Sequence, residues 1–140
     1  MRSTIALSNT LLNAITAAVD AGVAPGYIVL YAGGMTTTPD DPAPTNPRCT
    51  ITFAATAFNA AAQDAANPWS IATLTNAPSG TVTQDATLKS FRVFDGDNNT
   101  LWHGTVTATG QGGDLELSTA AVTNGQTITL DNFTVRHGHV

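Results

Sequence analysis

The second half of the chain is written as short alternating apolar runs separated by turn residues, and this pattern limits the fold more than any other feature. In TLKSFRVF (87–94), Leu88, Ser90, Arg92 and Phe94 fall on one side of an extended chain. Thr87, Lys89, Phe91 and Val93 fall on the other, so the split is not clean and both faces are expected to be partly covered. DGDNNT (95–100) is turn chemistry, because Asp, Gly and Asn tolerate the backbone angles turns demand. LWHGTVT (101–107) then returns as the second strand of an antiparallel hairpin. TGQGG (109–113), DLELST (114–119), NGQ (124–126) and TITLDNFTVRHG (127–138) repeat the alternation of turn and strand. Short strands with polar turns roughly every ten residues specify a sandwich or barrel. A parallel fold would need regular crossover helices, and one helix candidate exists.

That helix lies at the start. Leu11, Ile15 and Val19 recur every four residues, with Leu7, Leu12, Ala14 and Ala18 widening the stripe. Ser8 or Thr10 is the expected N-cap, Gly22 the expected left-handed C-terminal residue, and Pro25 blocks continuation. The helix either covers its own sheet or docks on a neighbouring subunit. YIVLY (27–31) reads as a strand ended by Gly33 and Gly34. MTTTPDDPAPTNPR (35–48) follows, with Pro39, Pro42, Pro44 and Pro47; proline gives no ladder donor, so this is a packed loop or an extended arm along a neighbour. CTITF (49–53) alternates cleanly, with Cys49, Ile51 and Phe53 on one face. The alanine-rich stretch after it reads equally as a short helix around 59–66 or as a long connection. WSIATL (69–74) is a further strand, and NAPSG (76–80) a turn. The expected fold is mainly β: an antiparallel β-sandwich, jelly-roll or immunoglobulin-like, with a short N-terminal α-helix. Residues 1–24 form the helix or arm, and 25–140 a single sandwich domain with the proline-rich loop at 35–48. Ile51, Phe53, Phe91, Phe94 and Phe133 are its expected interior.

Composition narrows function by exclusion. At 140 residues the chain is one domain's length, with net charge −5. Its basic residues, Arg2, Arg48, Lys89, Arg92 and Arg136, are scattered singly, which is no nucleic-acid footprint. Charged residues are 11%, less than half the usual share, as suits a protein that hides surface in an assembly. Ser8, Asn9, Thr10 and Asn13 interrupt any signal-peptide core, no apolar run approaches a spanning helix, and the helix's polar side, with Asn9, Asn13, Thr16 and Asp20, has no basic residue for a membrane surface. Cys49 is the single cysteine, so no internal disulfide forms, and a buried, inert thiol is expected.

Catalytic motifs are missing: no phosphate-binding loop, no HExxH, no GxSxG, no CxxC. His137 and His139, two apart, would face one way in a strand, but two imidazoles at a chain end make a weak metal signal. DGD (95–97) looks like half a calcium loop without its closing Glu, and reads better as a solvated turn. Asp40 and Asp41, adjacent in a loop, lack the opposed geometry of an acid–base pair. Trp102 beside His103 is the candidate surface-binding pair, an indole offering a flat apolar platform for a sugar or base. The plainer expectation is Trp102 in the core and His103 at the surface. No enzyme activity, metal or cofactor is expected.

At TLKSFRVFDGDNNTLWHGTVTATGQGGDLELSTAAVTNGQTITLDNFTVRH and at the opening MRSTIALSNTLLNAITAAVDAGVAPGYIVLYAGGM, the sequence resembles a group of small tailed-bacteriophage proteins encoded among head-morphogenesis genes. CTITFAATAF matches less specifically, and MTTTPDDPAPTNPR departs from the group. The resemblance implies a non-enzymatic virion protein made in the host cytoplasm. Its expected role is capsid decoration, or cementing, on the capsid surface, bridging and stabilising capsomers. The implied partners are the major capsid protein and copies of itself, with surface glycans as an additional contact, and neither nucleic acid nor membrane. Leu7, Leu11, Ile15 and Pro39, Pro42, Pro44, Pro47 are the expected intersubunit contacts. A tail or baseplate accessory protein is the first alternative, and a carbohydrate-binding β-sandwich module the second.

Overall fold

A computed structural model describes residues 3–138. The element order is α1 (Ile5–Ala17), β1 (Tyr27–Tyr31), β2 (Pro47–Thr52), β3 (Ala62–Gln63), β4 (Trp69–Thr73), β5 (Ser79–Thr81) and β6 (Ala86–Thr87), then β7 (Ser90–Phe94), β8 (Thr100–Ala108), β9 (Leu115–Leu117), β10 (Ala121–Val122), β11 (Thr127–Thr129) and β12 (Thr134–Gly138). The main sheet runs β2-β1-β7-β8-β9 and curls into an open half-barrel. A three-stranded sheet, β12-β4-β3, stands beside it, and two-stranded ribbons β10-β6 and β11-β5 complete the β structure. The chain is therefore mainly β with one N-terminal helix.

Alternation sets which side chains enter the core. Ile28 and Leu30 of β1 pair with Ile51 and Cys49 of β2 and with Val93 and Phe91 of β7, and all six are buried. Phe53, Phe58, Leu130 and Phe133 extend this core towards the smaller sheet, where Ala72 is buried. Phe133 meets Phe91 edge-on at 5.7 Å and Phe58 at 6.2 Å, the offset geometry that aromatic quadrupoles favour. Burial pushes the Cys49 thiol up to about 11, which keeps it protonated and inert.

Phe94 leaves the expected interior. The β7–β8 register shifts between Val93 and Phe94, and Phe94 stacks on Tyr27 at 4.9 Å on the sheet's other face. That other face is covered too, which buries every residue from Ser90 to Val93. The cover is the proline-rich loop. Arg92, 2% exposed, donates to Thr36 Oγ1 (2.7 Å) and to the Pro42 carbonyl (3.0 Å), while Ser90 Oγ donates to the Gly33 carbonyl. The loop is thus packed on its own sheet, with Pro44 buried, Pro39 half-buried, and Pro42 and Pro47 exposed.

Other expectations shift as well. The helix begins earlier than expected: Thr4 is the N-cap, its hydroxyl accepting from the Leu7 N–H at 3.2 Å, while Ser8 and Thr10 lie inside the helix. The helix closes at Ala18, so Gly22, at φ +108°, shapes the following turn rather than the cap. The alanine-rich stretch is a connection containing β3, without helix. TLKSFRVF divides between β6 and β7 in different sheets, and Ser79 and Gly80 of the expected turn enter β5. One pairing, β8 with β9, is parallel.

Candidate functional site

The helix presents the most unusual surface. It carries no charged residue, and its inward face is Ser8, Leu12 and Thr16, all buried against β4, β12 and β3. Thr16 Oγ1 turns back on the Leu12 carbonyl at 3.1 Å. Ser70 Oγ on β4 and His137 Nδ1 on β12, neighbours in register, are enclosed without a hydrogen-bond partner. Leu12 and Val19, fully buried, join the helical segment to the common core. Asn13 Oδ1 and Asp20 Oδ1 accept from the Ala61 and Ala57 N–H groups and pin its C-terminal half. The larger apolar side chains face out: Leu7 is 50% exposed, and Leu11 and Ile15 are each 41% exposed. An amphipathic helix on its own sheet normally turns that stripe inward and puts charge outside. Of the sequence stripe, only Leu12 and Val19 do so.

The second surface is a trough between the main sheet and the smaller one. β8 has no partner over residues 101–105 on its outer side, and β12 ends its own sheet, among the described residues. A cavity of about 380 Å³ between them is lined by Trp102, His103, Asp114, Phe133, Thr134 and Arg136, among others. It continues, through the shared Asp114, Phe133, Thr134 and Arg136, into a space of about 410 Å³ reaching Glu116 and Asn132. The half-buried Trp102 contributes apolar surface, whereas Phe133 is 5% exposed and belongs to the core. Arg136 lies 5.8 Å over the ring of Trp69, whose indole N–H donates to Asp64 Oδ2. Asp114 Oδ2 accepts from both the N–H and hydroxyl of Thr105 (2.9 Å each). Glu116 accepts from the Gly110 and Gly112 N–H groups, with Gly110 making the largest contribution to holding its carboxyl below the usual range.

The remaining candidates are structural in this geometry. Trp102 and His103 alternate on β8 yet both line the trough: Trp102 also packs against the core, and His103 Nδ1 lies 3.4 Å from Thr36 Oγ1 of the proline-rich loop. Asp95 organises the DGDNN turn, accepting from the Asn99 amide and from the Asn99 and Asp97 N–H groups at 2.8–2.9 Å. These bonds, the Asn99 side chain first, keep its carboxyl below the usual range. Asp41 accepts from the Thr38 N–H within its loop. His139 lies outside the described residues, and among those described no group of three His, Cys, Asp or Glu side chains could hold a metal ion. Arg136, Asp114 and the buried Arg92 were not signalled by spacing; lone charges in alternating strands carry no motif. No family model, curated protein or solved structure matches the chain.

Proposed function

We propose that the protein is a non-enzymatic structural component of a tailed-bacteriophage particle, a capsid decoration protein that attaches to neighbouring capsomers through the outer face of α1. The observation that carries this is the outward stripe of Leu7, Leu11 and Ile15 on a helix without charge. Apolar side chains gathered on one exposed face mark an interaction surface more strongly than the same residues scattered singly. Three side chains are a small part of the roughly 800 Å² per partner that a stable pair buries. The stripe therefore acts as the apolar centre of a larger contact, completed by polar surface and repeated over many copies. Binding only to the assembled shell stabilises that shell by linkage. The acidic balance of the chain suits attachment to protein better than attachment to DNA.

The test is binding to expanded, undecorated heads. Leu11→Asp places a charge in the centre of the contact and should weaken binding about tenfold or more, at roughly 1.4 kcal/mol per factor of ten. Asp97→Asn, a change at the exposed hairpin turn, should bind as the parent does. Equal binding of Leu11→Asp and the parent would remove α1 from the interface. Binding of the parent to purified tails but not to heads would favour a tail accessory role instead.

A further inference from the structure

We infer that the trough between β8 and β12 accepts an extended segment of a partner protein as an added strand, one in which apolar residues alternate with a basic side chain. The main-chain directions carry this. In an antiparallel ladder the hydrogen-bonding groups of successive residues point alternately to one side of the strand and to the other. On β8, the Val106 N–H donates to the Lys89 carbonyl on the β7 side. The Gly104 and Trp102 main chain turns the same way, which leaves His103 and Thr105 facing outward. On β4, the Asp64 N–H donates to the Trp69 carbonyl on the β3 side, so Ser70 and Ala72 face β12, opposite His137 and Val135. Thr134 and Arg136 then turn their N–H and C=O groups away from β4, towards the trough they line. Among the described residues, two open strand edges thus border one trough. Open edges of this kind are templates for strand addition.

The lining selects the occupant. Asp114 Oδ2 takes the Thr105 N–H and hydroxyl, so the open part of the β8 edge ends at His103, and β12 offers the longer half of the ladder through Thr134 and Arg136. Side chains of an added strand alternate between the two faces. Those turned inward would lie over the half-buried Trp102 and Val135, which favours apolar residues there. Charge sets the other positions. Asp114 keeps its Oδ1 open, and Glu116 lies beyond it in the continuing space. The Arg136 guanidinium is drawn aside, 5.8 Å over the Trp69 ring. That end of the trough is therefore acidic, and a lysine or arginine on the added strand complements it. A second copy is a poor donor: the chain carries net charge −5, and its Lys89 and Arg92 stand on main chain already bonded to neighbouring strands.

The experiment is NMR titration of the isotopically labelled full chain with a blocked nonapeptide of alternating threonine and valine, carrying lysine at its third and seventh positions. One counterpart has glutamate in place of lysine. The other is the lysine peptide N-methylated at alternate residues, which strips the donors from one of its edges. The lysine peptide should shift the main-chain signals of His103, Thr134 and Arg136 saturably and slow their exchange with solvent. The glutamate peptide should bind about fivefold or more weakly, a gap that narrows with added salt. N-methylation should weaken binding about tenfold or more, because the ladder needs those donors. Asp114→Asn keeps an oxygen for Thr105 and should bring the lysine and glutamate peptides closer in affinity. The inference is overturned if the lysine peptide does not bind at millimolar concentration, if the shifts map elsewhere, or if either counterpart binds equally well. An unchanged preference for lysine in Asp114→Asn also overturns it. Trough signals that move with the protein's own concentration, without peptide, would make a second copy the occupant and overturn it too.

Discussion

Arg92 shows how a single side chain ties two parts of the chain together. It stands on a strand whose other face is core, and its guanidinium donates to the proline-rich loop that covers it. In sequence, TLKSFRVF gives warning that both faces are covered, but not by what: the partner segment lies about fifty residues upstream, and alternation reports only neighbours. Asp95 is the comparable device in the hairpin turn, 7% exposed and bonded three times. Its folded carboxyl lies below the ordinary value of 3.8, so it contributes stability above about pH 4. That contribution is lost as pH falls through the lower, folded value. Asp64, lowered chiefly by the Ala66 N–H, and Glu116 act in the same direction. The urea midpoint should be nearly flat from pH 7 to 5 and decline below pH 4. Asp95→Asn should lower the midpoint at pH 7 and make the acid decline shallower. An acid decline identical to the parent's would separate the turn from the pH dependence.

At the scale of elements, the strands with strong alternation and the helix were legible, while the helix's orientation stayed open between two readings. YIVLY and WSIATL carry enough β-branched and aromatic residues to define β1 and β4, and they lie where their patterns indicate. The shortest strands, β3, β6 and β10, span two residues each, too few for any period to be recognised. For α1, periodicity identifies a helix and leaves open whether its apolar stripe turns onto its own sheet or onto a neighbouring subunit. Leu7, Leu11 and Ile15, expected as intersubunit contacts, are exposed, whereas Ser8, Leu12 and Thr16 fit closely on the small sheet. Small polar side chains allow that close approach, and Thr16 satisfies its hydroxyl within the helix. The two faces should therefore separate in mutation. Leu12→Ala removes a fully buried side chain and should cost about 2–5 kcal/mol of unfolding free energy. Leu11→Asp should change it by about 0.5 kcal/mol or less. Chemical denaturation of both variants measures the difference. Comparable losses from the two would mean that the outward stripe is held inside the isolated fold.

At the scale of the whole molecule, a mainly β body with a leading helix followed from turn spacing, while the open curl of the main sheet did not. In that open half-barrel β8 pairs with β9 in parallel and, among the described residues, keeps a free outer side over 101–105. Both depend on how the 109–114 turn folds back through Asp114 and Glu116, a tertiary choice that turn residues permit but do not dictate. The resulting molecule has two unlike faces, the uncharged helix and the polar trough, and the proposed role assigns attachment to the first. Electron cryomicroscopy of purified particles, with this polypeptide traced in the density, measures that assignment directly. Many regularly arranged copies should lie on the expanded head where capsomers meet, with Leu7, Leu11 and Ile15 against the capsid protein. A single ring of copies at the tail, copies whose α1 stripe faces solvent, or particles without the polypeptide would contradict it.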